Sequence, residues 1–334
     1  MSVAHRCQYY RRIFSAYAGA AIGSGRSQLT FWHETPEINP RADAGGLGEY
    51  YMLFREKAEY AGHHDAVGIP MLDYRGVIGL QYNPIAIAQW GLANYNLFCE
   101  THNDARWQKT LNSADWLAAN LERNSHGLWV WNHHFDWEYR DTLKAPWYSG
   151  LAQGQGVSLL LRARAHSQTQ AKNEKYRAAA EKAFVALTRP ITEGGVLFED
   201  IERHLWIEEY LVDPPTHILN GFLWALWGVF DYWLATGDVS ARSVFDRGVE
   251  TLLHNLDRFD TGYWSLYEQS GTRMKMLASP FYHRLHIVQL RVMTKLTGEA
   301  RFAEVAARWE GYAQRRSNRT RALIEKSVFK LLHY

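Results

Sequence analysis

The stretch LNGFLWALWGVFDYWLA, residues 219–235, sets the architecture. A helix of this length that is apolar around almost its whole circumference has to be surrounded by protein. Asn220 and Asp231 interrupt the run, so it reads as a buried helix and not as a membrane span. Other stretches, 178–187 and 302–312, alternate apolar and charged residues at helical spacing, the pattern of helices with one wet face. Buried and half-wet helices alternate along the chain, which predicts an inner and an outer ring.

On either side of this helix the helical patterns fall into pairs: 84–97 with 104–123, 153–166 with 173–187, 219–235 with 240–258, and 283–296 with 300–314. Thr236-Gly237-Asp238 and Thr297-Gly298-Glu299 each supply a C-terminal glycine and then an acidic residue where the next helix starts and its dipole favours negative charge. After three of the pairs comes glycine with an extended aromatic or apolar run: Gly127-Leu128-Trp129-Val130-Trp131, Gly195-Val196-Leu197-Phe198 and Gly262-Tyr263-Trp264-Ser265-Leu266-Tyr267. These glycines are 68 and 67 residues apart, an internal repeat. The fold class expected is all-α, an α/α toroid of four helical hairpins with short β extensions, its end loops gathered around a central cleft.

The chain divides into three regions: residues 1–80, a cap with short strands such as 72–74 and 77–82; residues 81–314, the α/α barrel; and residues 315–334, a basic tail. In the tail Arg315, Arg316, Arg319, Arg321, Lys326 and Lys330 stand against Glu325 alone. Leu323, Ile324, Val328, Phe329, Leu331 and Leu332 offer one apolar helical face, and a docked helix with a solvated basic side is the reading preferred over a membrane or polyanion contact.

The 334 residues carry 47% hydrophobic and 22% charged residues, a globular balance, and a net charge of +2 that gives no electrostatic case for nucleic acid. The two cysteines, Cys7 and Cys99, exclude a disulfide scaffold, and a cytoplasmic setting is expected. Arg11-Arg12 with the stretch 13–23 resembles a signal peptide superficially, but Ser15 breaks its apolar run. The 14 Trp, 19 Tyr and 14 Phe either fill a core or line a groove that stacks on sugars. Trp224, Trp227, Phe230 and Trp233 read as core; Tyr82, Trp147, Tyr148, Trp206, Tyr210, Tyr267, Phe281 and Tyr282 fall at the barrel mouth.

Candidate chemistry concentrates at four helix-to-loop junctions: YNPI (82–85), WYSGLAQGQG (147–156), WIEEY (206–210), and YE (267–268) with Arg273 and SPFYHR (279–284). Gly154 and Gly156 point to a close backbone approach, by substrate or by a packed helix. His133-His134 and the pair His283 and His286 lack a matching glutamate motif, and no metal or other cofactor is expected. Asp136, Glu138 and Asp141 share one loop and either face the cleft or are solvated.

In order, YNPIAIAQWGL (82–92), WYSGLAQGQ (147–155), EEYLVDPPTHILNGF (208–222), YEQ (267–269) and FYHRLHIVQL (281–290) resemble motifs of the D-glucuronyl C5-epimerase family. The resemblance runs from about Tyr82 to Tyr312 and suits a minimal, bacterial-type member. It implies inversion at C5 of glucuronate in an acidic polysaccharide such as heparosan, on a four-hairpin α/α barrel, in a possible homodimer. It implies Glu209 as acid/base on one face and Tyr282 on the other, with Tyr267 near the substrate carboxylate. Tyr82, Trp147, Tyr148, Gln153, Gln155, Tyr210, Asn220 and His283 take the substrate-binding positions. Where vertebrate members carry an arginine three residues after the tyrosine matching Tyr267, this chain has Ser270, so Arg273 and Arg284 are the candidate carboxylate partners.

The chemistry asks for this residue set. Breaking a C–H bond alpha to a carboxylate and reprotonating the opposite face takes two acid/base groups, and the growing negative charge takes a cation or hydrogen-bond donors. A tyrosine acting as base needs its pKa lowered from about 10. Three alternatives stay open on sequence: a uronate lyase, an α/α-barrel hydrolase pairing Glu209 with Glu199 or Glu268, and a non-catalytic binder of acidic glycans.

Overall fold

The computed structural model describes residues 31–139, 142–167 and 169–333. The signal-like stretch 11–23, Cys7 and Asp141 lie outside the described residues. Helix α1 (Pro84–Thr101) pairs with α2 (Asp104–Ala119), α3 (Gly150–Ala165) with α4 (Gln170–Phe184), α5 (Leu219–Thr236) with α6 (Val239–Asn255), and α7 (Pro280–Thr297) with α8 (Ala300–Gln314). These are the four expected hairpins, and their limits arise from local chemistry. The Asn83 side chain accepts from Ile85 N and Ala86 N, with Pro84 at the first helical position. Ser149 and Ser279 cap α3 and α7 in the same way. Gly237 and Gly298 end α5 and α7 in the left-handed conformation.

Inner helices α1, α3, α5 and α7 pack in that order, each backed by its outer partner. The tightest approach is α3 on α5: a side-chain carbon at Gly228 would lie 2.2 Å from Gly154 O, and one at Gly154 would lie 2.5 Å from Ala225 Cα. Gly156 is likewise filled against by the Trp131 ring. The approach read from these glycines is therefore made by protein and not by substrate. Asp231, the acid that interrupts the apolar helix, is fully buried and pairs with Arg162 of α3 at 2.5 Å. Tyr51 donates to Asp231 Oδ1 at 2.6 Å, and Arg162 Nε donates to Gly48 O. Tyr50 and Tyr51 pack on Trp227 with ring centroids 6.1 and 5.6 Å away, so the chain around residue 50 plugs the end of the ring where α3 and α5 finish.

Short antiparallel elements decorate the other end. Strands β1 (His63–His64), β2 (Pro70–Asp73) and β3 (Leu80–Gln81) form one small sheet in that order. β4 (Glu122–Arg123) pairs with β5 (Trp129–Val130), and β6 (Leu197–Glu199) with β7 (Leu205–Ile207). The third expected extension is reduced to the bridges Asp260↔Ser265 and Leu266↔Leu277.

The tail forms helix α9 (Arg316–His333), but it docks through a different face from the one read in the sequence. Ala322 and Phe329 are buried, whereas Leu323 and Ile324 are each 57% exposed and Leu332 is 61% exposed. The docked face is fixed by two specific contacts: Phe329 enters a cluster with Tyr139, Ile218, Tyr267 and Met276, and Glu325 accepts from the Tyr263 hydroxyl. No helix among the described residues is long and apolar enough to cross a membrane.

Candidate active site

The first turns of α1, α3, α5 and α7 surround one cavity of about 230 Å³. Ile85, Leu151, Asn220, Phe281 and Tyr282 contribute from those turns; Tyr74, Phe135, Trp137, Tyr139 and Trp147 form an aromatic wall, with Glu138 at its edge. Four helix N-termini directed at one space give it positive character suited to an anion.

Glu209 reaches this space because its neighbour is tied elsewhere. Glu208 Oε1 lies 2.5 Å from His217 Nδ1, its Oε2 accepts from His217 N, and its carbonyl accepts from Gly150 N. With Glu208 held by the loop, Glu209 faces the cavity. A carbon at Gly221 would sit 2.2 Å from Glu209 Oε2, so only glycine at this first turn of α5 leaves room for the carboxyl. Asn220 Nδ2 approaches the same oxygen at 3.5 Å. Burial, reinforced by the charges of Glu268 and Glu208 and opposed by a hydrogen bond from Tyr210, pushes the Glu209 pKa up to about 8.

Besides Tyr74 and Tyr139 of the wall, three further tyrosines, Tyr210, Tyr267 and Tyr282, face the same space. Tyr210 packs against Tyr139 and Trp147, with centroids 4.7 and 5.7 Å away. Trp147 is fixed by stacking on His133 at 3.8 Å and by its indole N–H donating to Phe135 O. Tyr267 is clamped by its backbone, N to Met276 O and O from Leu219 N, and its ring meets Tyr282 edge-on at 4.9 Å. The Tyr139 hydroxyl donates to the Glu268 carboxylate. Burial, then the negative charge of Glu209, holds Tyr210 and Tyr267 well above the usual tyrosine pKa. A pKa lowered by positive neighbours is therefore not the state of these two phenols; they are neutral proton donors.

The expected cations are elsewhere. Arg273 lies exposed on the loop after Glu268, and Arg284 projects to solvent one position beyond the inward His283. Lys57, Lys326 and Lys330 line the cavity instead. Burial and the charge of Lys330 lower the Lys326 pKa to about 7, against the opposite pull of Glu268.

Five expected substrate contacts point away from the cavity. The Tyr82 hydroxyl donates to Asp65 while its ring packs on Trp116, and Tyr148 donates to Gly194 O. Gln153 ties Trp131 N to Ala183 O, bridging the first extension to α4. Gln155 accepts from Gln89 across α1 and α3. His283 is buried on Trp264 between Ser265 and Trp309 O. Trp206, placed at the mouth on sequence, stacks on His217 at 4.3 Å. In the other direction Trp224, read as core, reaches the cavity wall. Its Nε1 and Asn220 Oδ1 have no hydrogen-bond partner among the described residues, a donor and an acceptor suited to sugar hydroxyls.

Trp32, His33, Lys57, Tyr74 and Lys326 carry no motif that marks them for the site. The sole sequence signal for Lys326 is its helical register with Ala322 and Phe329. Among the described residues no group of three or more His, Cys, Asp or Glu side chains is arranged for a metal; His283 and His286 both meet Ser265 Oγ, at 2.8 and 3.1 Å.

Fold and mouth together define an α/α-ring protein with a buried acid and phenols in one pocket. Residues 123–311 match the family described as D-glucuronyl C5-epimerase C-terminus, and the chain belongs to that family. A D-glucuronyl C5-epimerase of Caenorhabditis elegans is 31% identical over 217 residues, 60% of this chain and 34% of the nematode protein. An uncharacterized protein of Methanocaldococcus jannaschii is 25% identical over 202 residues, 60% of this chain and 63% of its own length. The chain thus spans about a third of one relative and under two thirds of the other. The crystal structure of unsaturated glucuronyl hydrolase from Bacillus sp. GL1 aligns over 68% of this chain and 61% of its own at a TM-score of 0.47 and 13% identity, too distant to bear on the site.

Proposed function

We propose that the protein inverts C5 of glucuronate units in an acidic poly- or oligosaccharide. The observation that carries this reading is one cavity walled by a carboxyl with raised pKa and by phenols, in a chain of this family. In the forward step the Glu209 carboxylate takes the C5 proton, and the bond pair moves into the C5–C6 bond to give an enediolate. A phenol on the opposite face, Tyr282, delivers a proton to C5. The Glu209 proton then leaves to solvent and the phenolate is reprotonated from it, so atoms and charge balance over the cycle.

The raised pKa of Glu209 serves this role. A carboxylate with pKa about 8 is a stronger base than an ordinary one, and about a tenth of it is ionised at pH 7. Tyr267, kept neutral by burial, is placed to donate a hydrogen bond to the substrate carboxylate as charge grows there. The aromatic wall stacks on the apolar face of a sugar, and Trp224 and Asn220 meet its hydroxyls.

The test is product analysis after incubation with heparosan, an unsulfated glucuronate polymer. Iduronate units in chains of unchanged length are expected. An ultraviolet-absorbing unsaturated end would mean elimination and overturn the proposal, as would unchanged glucuronate across a set of glucuronate-containing polymers.

A further inference from the structure

Epimerisation as proposed is assisted by a cation at the substrate carboxylate beside the donor Tyr267, and a role for such a cation rests on that reading. Among the lysines of the cavity, Lys57 is already engaged: its Nζ donates to Phe31 O at 2.7 Å and lies 3.7 Å from Glu34. Lys326 differs. It is half-buried, its Nζ stands 5.4 Å from the Tyr267 ring centre and 6.0 Å from that of Phe329, and it has no ion-pair partner among the described residues.

Helix α9 is anchored so as to present this group. Ala322, Glu325, Lys326 and Phe329 recur at i, i+3, i+4 and i+7, one face of a helix. On that face Glu325 accepts from the Tyr263 hydroxyl at 2.5 Å and from Arg321 Nε at 2.8 Å, and the Arg321 guanidinium lies 3.8 Å over the Tyr263 ring. Phe329 locks the next turn into the cluster beneath Tyr267. A long basic helix docks here with a lysine toward the cavity while four aliphatic side chains face out. Apolar burial alone would choose the opposite face.

We propose that Lys326 is the carboxylate site of the enzyme: its ammonium binds the C6 carboxylate of the reacting uronate beside Tyr267 and carries the charge that grows there, so that α9, beyond the family match at 123–311, is part of the active site. A half-buried ammonium without a counter-charge is pushed toward neutrality, and an arriving carboxylate pulls it back. Lys330 on α9, Glu268 and Tyr267 act on it directly, and the cavity it lines also holds Glu209, Tyr210 and Tyr282, with Glu138 and Tyr139 of the wall and His33 and Lys57 of the N-terminal segment. Among these the negative charge nearest in effect, Glu268, is already committed to the Tyr139 hydroxyl. Binding of a uronate near pH 8 should therefore take up a proton.

Calorimetry in two buffers of different ionisation enthalpy at pH 8 tests this, with an unsulfated glucuronate-containing tetrasaccharide and its carboxyl-reduced counterpart as probes. The wild type is expected to prefer the acidic probe and take up a proton with it alone. Lys326→Met should lose the preference and keep only the smaller uptake that Glu209, half ionised at pH 8, contributes, and lower epimerisation by roughly 10²–10³-fold. Lys326→Arg should restore the preference without restoring the Lys326 share of the uptake, because a guanidinium stays charged. Lys330→Met should keep the preference and take up less than the wild type, because the charge that lowers the Lys326 pKa is gone. If Lys326→Met retains the preference, or weakens both probes equally while Lys326→Arg rescues neither, the assignment is overturned. A wild type that binds with the expected proton uptake but leaves C5 unchanged would sink the epimerase reading and keep Lys326 as a uronate anchor.

Discussion

Glu208 and Glu209 are adjacent, chemically identical and put to opposite uses. One holds His217 and with it the turn into α5; the other is kept from water in the cavity. Their difference gives a prediction with a sign. Below an ordinary pKa of 4.5 Glu209 is protonated in both folded and unfolded chains; between there and about 8 only the unfolded chain has released its proton, so this group lowers stability as pH rises and the whole cost is present above pH 8. Glu209→Gln should therefore match the wild type at pH 4 and exceed it by on the order of 2–4 kcal/mol at pH 8 in denaturant titrations, while its activity is abolished. Wild-type turnover should climb from pH 6 to 8 as the carboxylate appears; a flat profile would remove Glu209 as the base. For single residues the sequence is partly legible. Glu209, Tyr210, Asn220, Tyr267 and Tyr282 stand out in their motifs, and all reach the cavity. Tyr82, Tyr148, Gln153 and Gln155 stand at the same junctions and turn outward or into the protein, because spacing places a residue at a junction while its packing partners decide which way it points.

At the level of elements, the hairpins are legible because helix periodicity, N-caps and C-terminal glycines agree with one another along the chain. The faces of α9 are not, since a helix bearing lysines and aliphatics on overlapping arcs has two candidate buried sides, and the pocket for Phe329 and the hydroxyl of Tyr263 choose between them. The α3–α5 contact makes the sharpest prediction among the helices. Gly228→Val places carbon against the backbone of Gly154, where neither helix can yield without the ring opening, and should cost about 3 kcal/mol or more. Gly311→Ala on outer helix α8, with nothing within 4 Å of the added carbon, should stabilise by about 0.5–1 kcal/mol. Urea titrations of the two variants check the pair; equal effects would mean that the glycines of α3 and α5 do not govern the packing.

Across the whole molecule the two ends of the ring divide the work. Where α3 and α5 finish, the Arg162–Asp231 pair, Tyr51 and the chain around residue 50 close the structure. Where the inner helices begin, their positive ends, the aromatic wall, Glu209 and Lys326 surround one cavity, the space in which we propose an anionic sugar binds. The mouth is assembled from the N-terminal segment, all four hairpins and α9, parts far apart in sequence, which is why Lys57 and Lys326 cannot be read from the motifs that mark Glu209 and Tyr282. Everything proposed for this mouth depends on a proton leaving and returning at C5 within it. NMR of heparosan after incubation with the protein in deuterated water reads that event: deuterium at C5 without chain cleavage is expected for the wild type and absent for Glu209→Gln, whereas full retention of the C5 proton with the wild type would refute it.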